Sequence, residues 1–115
     1  MVLVDLTLAV ICFAGQCHNA LVGVDTLPGE YQLTQRITAQ AGYGGDVLQF
    51  AEDDKRWLGI HRVWTLKPKE KRVEKLQSID PSVRRTVTKG CVNVAPDVYE
   101  KLVACCSTEK LVIKK

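Results

Sequence analysis

Cysteine and histidine are the residue types in this sequence that can together perform nucleophilic chemistry. Cys91 lies in segment 88–94 (Thr-Lys-Gly-Cys-Val-Asn-Val), and the 115-residue chain has two histidines, His18 and His61. A thiol becomes a nucleophile when a nearby base or cation lowers its pKa. Gly90 lets a substrate approach the backbone, and the N–H groups of Gly90 and Cys91 can point together as an oxyanion hole. A Gly-Cys dipeptide is common, so the segment by itself leaves a structural role for Cys91 open.

The chain has five cysteines, an odd number, so at least one thiol stays unpaired within it. The four cysteines outside segment 88–94 form no CxxC pair: Cys12, Cys17, Cys105 and Cys106. A zinc site would require adjacent cysteines to share one metal, so we predict no metal site. We interpret these four as small apolar residues of strands and a helix, whose burial raises the thiol pKa. Cys91, beside the cation Lys89, is the thiol that we expect to form a thiolate.

The segments that must position Cys91 and His61 read mostly as strands. Apolar residues at every even position predict one half-buried strand from Val4 to Cys12. A turn at 14–16, a second strand at 17–24, a turn at 27–30 and a third strand holding Tyr31 and Leu33 follow. The glycine-rich stretch 39–46 predicts a loop. The apolar runs 47–50 and 57–60 predict a hairpin, with His61 where its second strand ends.

The C-terminal half holds the predicted helices. The charged stretch from Lys67 to Leu76 predicts a short solvated helix after Pro68, and Pro81 is expected to end that segment. Pro96 and Asp97 open a firm helix that extends to about residue 106, since proline fits the first helical turn. Its predicted buried stripe consists of Val98, Leu102 and Cys106. A last strand at 111–113 completes a mostly β, twisted antiparallel sandwich.

Three stretches, in this order, resemble the YkuD-type L,D-transpeptidase catalytic domain. They are Thr26 to Tyr31 (TLPGEY), Gly59 to His61 (GIH) and Thr88 to Val94 (TKGCVNV). The family shows a T-P-x-G-x-[FY] turn, a histidine at a strand end and an [ST]-H-G-C-[IVL]-[RN]-[LMV] motif. The resemblance covers the chain from about Val4 to the C-terminus and implies a single catalytic domain over residues 1–115.

The sequence departs from the family pattern at several points. One extra residue separates Thr26 from Pro28, and position 89 is lysine where the family has histidine. Cys91 follows His61 by 30 residues, which is longer than the family spacing. The surplus coincides with the basic segment 67–85, which we interpret as an insertion that forms a lid or wall.

The resemblance implies a role for each matching residue. Cys91 would be the nucleophile and His61 its base, with the backbone carbonyl of Arg62 orienting the imidazole. Gly90 would contribute to the oxyanion hole, and Asn93 would brace the Cys91 loop. Thr88, Lys89 and Asn93 are expected to contact substrate. The implied substrate is a peptidoglycan stem peptide, attacked at the bond between an L-centre and a D-residue, and no metal or organic cofactor is required.

Two other function classes remain open from the sequence. The net charge of +3 and the basic segment 67–85 would suit a nucleic-acid-binding module. Only Trp64 lies nearby among aromatic residues and acidic residues interrupt the charge, so we predict no nucleic-acid partner. A catalytically inactive protein that binds cell wall is the other alternative, and retention of Cys91 and His61 speaks against it.

The location of the protein follows only from the resemblance, which implies the periplasm or another extracytoplasmic site, or a secreted toxin that attacks a competitor's wall. No apolar run reaches the roughly 18 residues of a membrane span. The apolar N-terminus carries Asp5 and lacks a basic flank, so we interpret it as a strand and not as a signal peptide.

Overall fold

The computed structural model describes all residues from 1 to 115. It contains nine strands: β1 (Val2–Asp5), β2 (Val10–Phe13), β3 (Gln16–Asn19), β4 (Gly29–Gln32), β5 (Thr34–Ile37), β6 (Asp46–Glu52), β7 (Trp57–Arg62), β8 (Val92–Val94) and β9 (Lys110–Lys114). It contains three α-helices, α1 (Arg72–Leu76), α2 (Pro81–Arg84) and α3 (Pro96–Cys106), and a 3₁₀ turn at Pro68–Glu70. The prediction of a mostly β protein with one long helix near the C-terminus is confirmed.

The strands form two sheets, in the orders β3-β2-β1-β9-β4 and β5-β6-β7-β8. Five of the seven strand pairs are antiparallel, and each sheet also contains one parallel pair, β1 with β9 and β7 with β8. The two sheets and α3 enclose one apolar core of 19 buried residues. The predicted, mostly antiparallel sandwich is therefore confirmed.

The first predicted strand is wrong in its length and in part of its facing. Residues 6–9 form a turn, in which Ala9 has φ of 50°, and this turn divides the stretch into β1 and β2. The extra turn changes which residues face inward. Val2 and Val4 are buried in β1, whereas Ile11 and Phe13, at odd positions, are buried in β2.

The next two predicted strands are also redrawn. The second is shorter than expected, because β3 ends at Asn19 and the chain then crosses to the other sheet, where Leu21 and Gly23 form isolated bridges with Asn93 and Thr88. The third divides at buried Leu33 into β4, which pairs with β9, and β5, which pairs with β6.

The turns around these strands are only partly as predicted. The turn at 27–30 lies earlier, at residues 24–25, where Thr26 N–H donates to the Gly23 carbonyl. The glycine-rich loop and the β6–β7 hairpin occur as expected.

Helix α3 has the predicted bounds and the predicted stripe. Val98, Leu102 and Cys106 are buried against the sheets, and Tyr99, which was not predicted, is fully buried beside them. The hydroxyl of Tyr99 donates to the Asp46 carboxylate. The closing strand β9 lies between β1 and the edge strand β4.

The basic segment differs from its prediction at Pro81 and Arg84. Pro81 does not end a helix but begins α2, where Asp80 caps the first turn by accepting from Ser82 N–H. Arg84 is not a solvated cation: it is buried, and its guanidinium donates to the carbonyls of Leu8, Ala9 and Ser78. Part of the positive charge in this segment therefore stabilises the fold and is not available to a nucleic acid.

The interpretation of four cysteines as separate apolar residues is wrong. Cys12 and Cys17 lie opposite each other across β2 and β3 and form a disulfide, and the adjacent Cys105 and Cys106 form a second one. Their pairing also removes the ligands that a zinc site would need. Cys91 is the one free cysteine. The longest helix has 11 residues, and no helix combines the length and apolarity needed to cross a membrane.

Candidate active site

One cleft of about 460 Å³ brings together most of the residues that the sequence singled out. His61, Thr88, Lys89, Gly90 and Cys91 all line it. The parallel pairing of β7 with β8 explains their proximity, because His61 lies opposite Asn93 and Cys91 directly precedes β8. Side chains two residues apart on a strand share a face, so this register places Cys91 and Asn93 on the face that carries His61.

The Cys91 loop is held by backbone and hydroxyl contacts from two threonines. Thr88 Oγ1 donates to the Cys91 carbonyl at 2.6 Å, and buried Thr26 Oγ1 donates to the Gly90 carbonyl at 2.8 Å. Gly23 passes so close to this loop that a Cβ at residue 23 would lie 1.8 Å from the Thr88 carbonyl oxygen. The segment from 23 to 26 therefore fixes the loop that carries Cys91. The sequence places Thr26 in a motif, but no role was predicted for its side chain.

His61 is almost fully buried, with 2% of its surface exposed. Its Nδ1 lies 2.6 Å from the Arg62 carbonyl oxygen, the atom expected to orient the imidazole. A carbonyl can only accept, so Nδ1 carries the proton and Nε2 carries the lone pair. Burial, offset in part by the Arg62 carbonyl and reinforced by the charge of Arg72, lowers the pKa of His61 to about 4. The imidazole is therefore neutral at pH 7.

Asn93 lies beneath the cleft and is fully buried. Its Oδ1 accepts from Trp64 N–H and from the Arg72 guanidinium, each at 3.1 Å. Two donors on one amide atom identify that atom as oxygen, so the Nδ2 side faces His61 Nε2, at 3.4 Å. Asn93 thus contacts the candidate base. The sequence predicted that Asn93 braces the Cys91 loop and contacts substrate, but the buried side chain does not line the cleft and contacts the histidine instead.

An aromatic wall covers the histidine. The Tyr43 ring packs edge-on against His61, with centroids 4.7 Å apart, and also contacts Trp57 and Trp64. Burial, together with the negative charge that a Cys91 thiolate would carry, raises the pKa of Tyr43. Tyr43 is therefore close to both Cys91 and His61. The sequence assigned its loop to the edge of the groove but did not single out this side chain.

The protonation of Cys91 corrects the sequence prediction. Burial raises the pKa of the Cys91 thiol above its ordinary value of 9.0, against a backbone hydrogen bond from Gly59 and the charges of Arg56 and Arg72, which lower it. The expected thiolate is therefore not the resting form at pH 7. The cations that act on the sulfur are Arg56 and Arg72, and not the adjacent Lys89, which lines the cleft without a hydrogen-bonding partner there.

The side chain of Arg62 points away from the cleft. Its guanidinium donates to the Asp46 carboxylate at 2.8 Å and to the carbonyls of Tyr43 and Gly44, and it stacks 4.4 Å from the Tyr99 ring centre. Arg62 thus anchors the glycine-rich loop through its side chain and His61 through its carbonyl.

A second, larger groove of about 830 Å³ lies beyond Arg62. It is lined by residues such as Leu66, Val73 and Val98 and contains no free thiol. The chemistry-bearing side chains gather in the smaller cleft, so size does not identify the candidate site here.

The fold that carries this cleft is L,D-transpeptidase-like. The structure matches the crystal structure of the L,D-transpeptidase (residues 123–326) from Xylanimonas cellulosilytica DSM 15894 with a TM-score of 0.60 and 14% sequence identity, over 98% of this chain and 59% of that one. It matches the L,D-transpeptidase from Mycobacterium smegmatis with a TM-score of 0.58 and 13% identity, over 99% of this chain and 58% of that one.

The chain therefore spans about three fifths of the length of these two structures. No model of a protein family matches its sequence, and a comparison with curated proteins finds no match either. The likeness is one of fold.

Proposed function

We propose that this protein is a cysteine-nucleophile acyl transferase that acts on peptidoglycan stem peptides at an L–D peptide bond. The observation that carries the proposal is the position of its one free thiol. Cys91 shares a cleft with a buried histidine whose tautomer is fixed, in an L,D-transpeptidase-like fold. This combination supports a transpeptidase or carboxypeptidase that forms a thioester intermediate.

The protonation states of Cys91 and His61 define the first step. Cys91 starts as a thiol and His61 as a neutral imidazole, so Nε2 takes the thiol proton as the sulfur attacks the substrate carbonyl carbon. This transfer requires Asn93 Nδ2, which lies 3.4 Å from Nε2, to give up its place on the Nε2 lone pair. The carbonyl π electrons move to oxygen, and the N–H groups of Gly90 and Cys91 would hold that oxyanion. His61 then passes its proton to the departing amine. The low pKa of His61 makes the imidazolium a strong acid for this second transfer and the neutral imidazole a weak base for the first, so the first proton moves in concert with the attack of the sulfur.

The second step separates the possible products. The Cys91 thioester transfers its acyl group to an acceptor amine in a transpeptidase, or to water in a carboxypeptidase, and the thiol is restored. The cleft wall offers Thr88 and Lys89 as substrate contacts, as expected from the motif. No step needs a metal or an organic cofactor.

The disulfides support an extracytoplasmic location, as a housekeeping enzyme or as a secreted toxin. Disulfides form and persist in oxidising compartments and are rare in the cytosol, and four of the five cysteines are paired in this way.

Purified tetrapeptide-containing muropeptides test the function directly. We expect release of the terminal D-residue, with a crosslinked product if an acceptor stem is used and a tripeptide product if water is. Cys91→Ala should abolish turnover, and His61→Ala should reduce it by about 10²–10⁴-fold, the contribution of a general base. Lys110→Ala, on the far sheet, is the matched control and should retain activity. No turnover by the wild type, together with steeply salt-dependent binding of DNA, would replace the proposal with a basic binding module.

A further inference from the structure

Three residues of the basic segment 67–85 line the candidate active site, Lys67, Glu70 and Arg72, and Arg72 is the one that reaches Asn93. Arg72 is the first residue of α1, and its side chain is only 15% exposed, in contrast to most cations of the segment. Its Nε donates to the Glu70 carboxylate at 3.1 Å, and its Nη1 donates to Asn93 Oδ1 at 3.1 Å. Arg72 is thus held between its own segment and β8.

The contacts continue from Arg72 to the candidate base. Arg72 and Trp64 occupy Oδ1 of Asn93, which leaves the Nδ2 donor facing His61 Nε2. A donor facing Nε2 excludes a proton on that nitrogen, and the Arg62 carbonyl requires one on Nδ1. The Arg62 carbonyl therefore sets the tautomer, and the Asn93 amide, held by Trp64 and Arg72, contacts the unprotonated nitrogen of that tautomer.

We propose that Arg72 is a positioning residue: it holds the Asn93 amide against His61 Nε2, and it brings the positive charge of the basic segment 67–85 to the Cys91–His61 pair. This inference rests on the proposed function for its catalytic meaning, but not for its geometry.

The charge of Arg72 acts on both partners in a defined direction. A cation stabilises the Cys91 thiolate and destabilises the His61 imidazolium, and accordingly Arg72 lowers the pKa of each. Loss of this charge should therefore raise both pKa values. The other charged and titratable groups around the pair come from the surrounding segments: Asp25, Tyr43, Arg56, Lys67, Glu70 and Lys89.

Three substitutions at residue 72 separate the hydrogen bond from the charge. Arg72→Lys keeps the charge and a donor, Arg72→Gln keeps only a donor, and Arg72→Met keeps neither. Arg85→Met removes an exposed cation of the same segment and is the matched control. Two readouts need no substrate: ¹⁵N chemical shifts of His61, which report its tautomer and its titration, and the pH dependence of Cys91 alkylation by iodoacetamide.

In the Met and Gln variants we expect the titration midpoints of His61 and Cys91 to rise by at least about half a pH unit. A nearby charge shifts a pKa by about this much or more. Only the Met variant should also change the ¹⁵N chemical shift of His61 Nε2 at high pH, because the Asn93 amide that contacts this nitrogen is then held by Trp64 N–H alone. The Lys variant and Arg85→Met should resemble the wild type in both readouts. If Arg72→Met does not fold, Arg72→Gln still tests the charge, with the Lys variant as its control.

Equal titration midpoints and equal Nε2 chemical shifts in Arg72→Met and Arg85→Met would overturn the inference. Muropeptide turnover by the wild type is measured separately. A wild type without turnover but with shifted midpoints in the Met variant contradicts the proposed function alone. A wild type with turnover and a Met variant without shifts contradicts the role of Arg72 alone.

Discussion

The two parallel strand pairs of this protein show how the same local geometry serves two purposes. In the β1–β9 pair, the inward residues Val2, Val4, Leu111 and Ile113 are buried, and the other face ends in an ion pair between partly buried Asp5 and exposed Lys114. In the β7–β8 pair, Ile60, Val92 and Val94 fill the core in the same way. The opposite face, however, carries His61 and Asn93, both buried.

The difference comes from what covers the second face. Burying a polar side chain without partners costs free energy, so a buried histidine and asparagine require donors and acceptors that reach them. The Arg62 carbonyl, Trp64 N–H and Arg72 guanidinium supply them. No buried side-chain nitrogen or oxygen in the protein lacks a partner. The face that carries His61 and Asn93 is therefore stable because the glycine-rich loop and the basic segment 67–85 cover it.

Gly23 passes close to the Cys91 loop, and a substitution there should destabilise the fold more than the other changes considered. A Cβ in Gly23→Ala would lie 1.8 Å from the Thr88 carbonyl oxygen, and a backbone atom cannot yield as a side chain does. We expect a loss of at least about 3 kcal/mol in the free energy of unfolding, by overpacking against a rigid neighbour. Chemical denaturation measures it. Gly15→Asn is the control, since residue 15 faces open space at φ of 79°, which asparagine tolerates. A loss for Gly23→Ala no larger than for this control would contradict the geometry.

Asn93→Leu tests whether the polar pair depends on its covering partners. Leucine has a similar shape but leaves Trp64 N–H and Arg72 without an acceptor, so we expect a loss of about 2–3 kcal/mol in unfolding free energy. Lys114→Met removes the ion pair with Asp5 in the β1–β9 pair. Because the lysine is exposed, the loss in unfolding free energy should be less than about 1 kcal/mol. Equal losses in the two variants would mean that the two faces do not differ as described.

Mild acid should weaken the polar pair before it affects the carboxylates. The unfolded chain binds a proton at His61 near its ordinary pKa of 6.5, whereas folded His61 does so only near 4. Stability is therefore lost as the pH falls below 6.5, by about 2 kcal/mol between pH 7 and pH 5. The lowered pKa values of Asp5 and Asp46 matter only below their ordinary value of 3.8. Denaturation curves at both pH values measure the change, and His61→Gln should remove most of it. A wild type equally stable at pH 7 and pH 5 contradicts the buried neutral histidine.

Lys89 should have the smallest effect of the substitutions around the cleft. It lines the wall, but Arg56 and Arg72 are the cations that act on Cys91. Lys89→His should therefore change muropeptide turnover by less than tenfold, or about 1.4 kcal/mol in activation free energy. A loss comparable to that of Cys91→Ala would assign Lys89 a direct role in the reaction.

Sequence patterns predicted the elements whose periods are uninterrupted and missed those that tertiary contacts define. The stripe of α3 and the β6–β7 hairpin follow from local periodicity and have the expected positions. The single strand predicted from Val4 to Cys12 was wrong. The alternation of apolar residues continues through residues 6–9, which form a turn that only the positive φ of Ala9 reveals. The disulfide between Cys12 and Cys17 depends on strand register, which that misplaced turn concealed.

The candidate site also contains residues that the sequence predicted and residues that it did not. A local motif singled out Cys91 and His61, and the structure places them in one cleft. Nothing in the sequence distinguishes Arg56 and Arg72 from the other members of a set of 16 lysines and arginines. Their proximity to the thiol arises from the hairpin turn and from α1 folding over β8. The raised pKa of Cys91 was likewise invisible, since it depends on burial and not on neighbours in sequence.

The central claim is that Cys91, assisted by neutral His61, is the nucleophile of an acyl transfer. Intact-protein mass spectrometry after incubation with a carbapenem, whose strained amide acylates an active thiol, tests it most directly. Under non-reducing conditions only Cys91 is free, so reaction elsewhere requires a disulfide to open. The account predicts one adduct per chain, mapped to the Cys91 peptide, absent in Cys91→Ala and formed much more slowly in His61→Ala. No adduct, an adduct on another residue, or an unchanged rate in His61→Ala would contradict it.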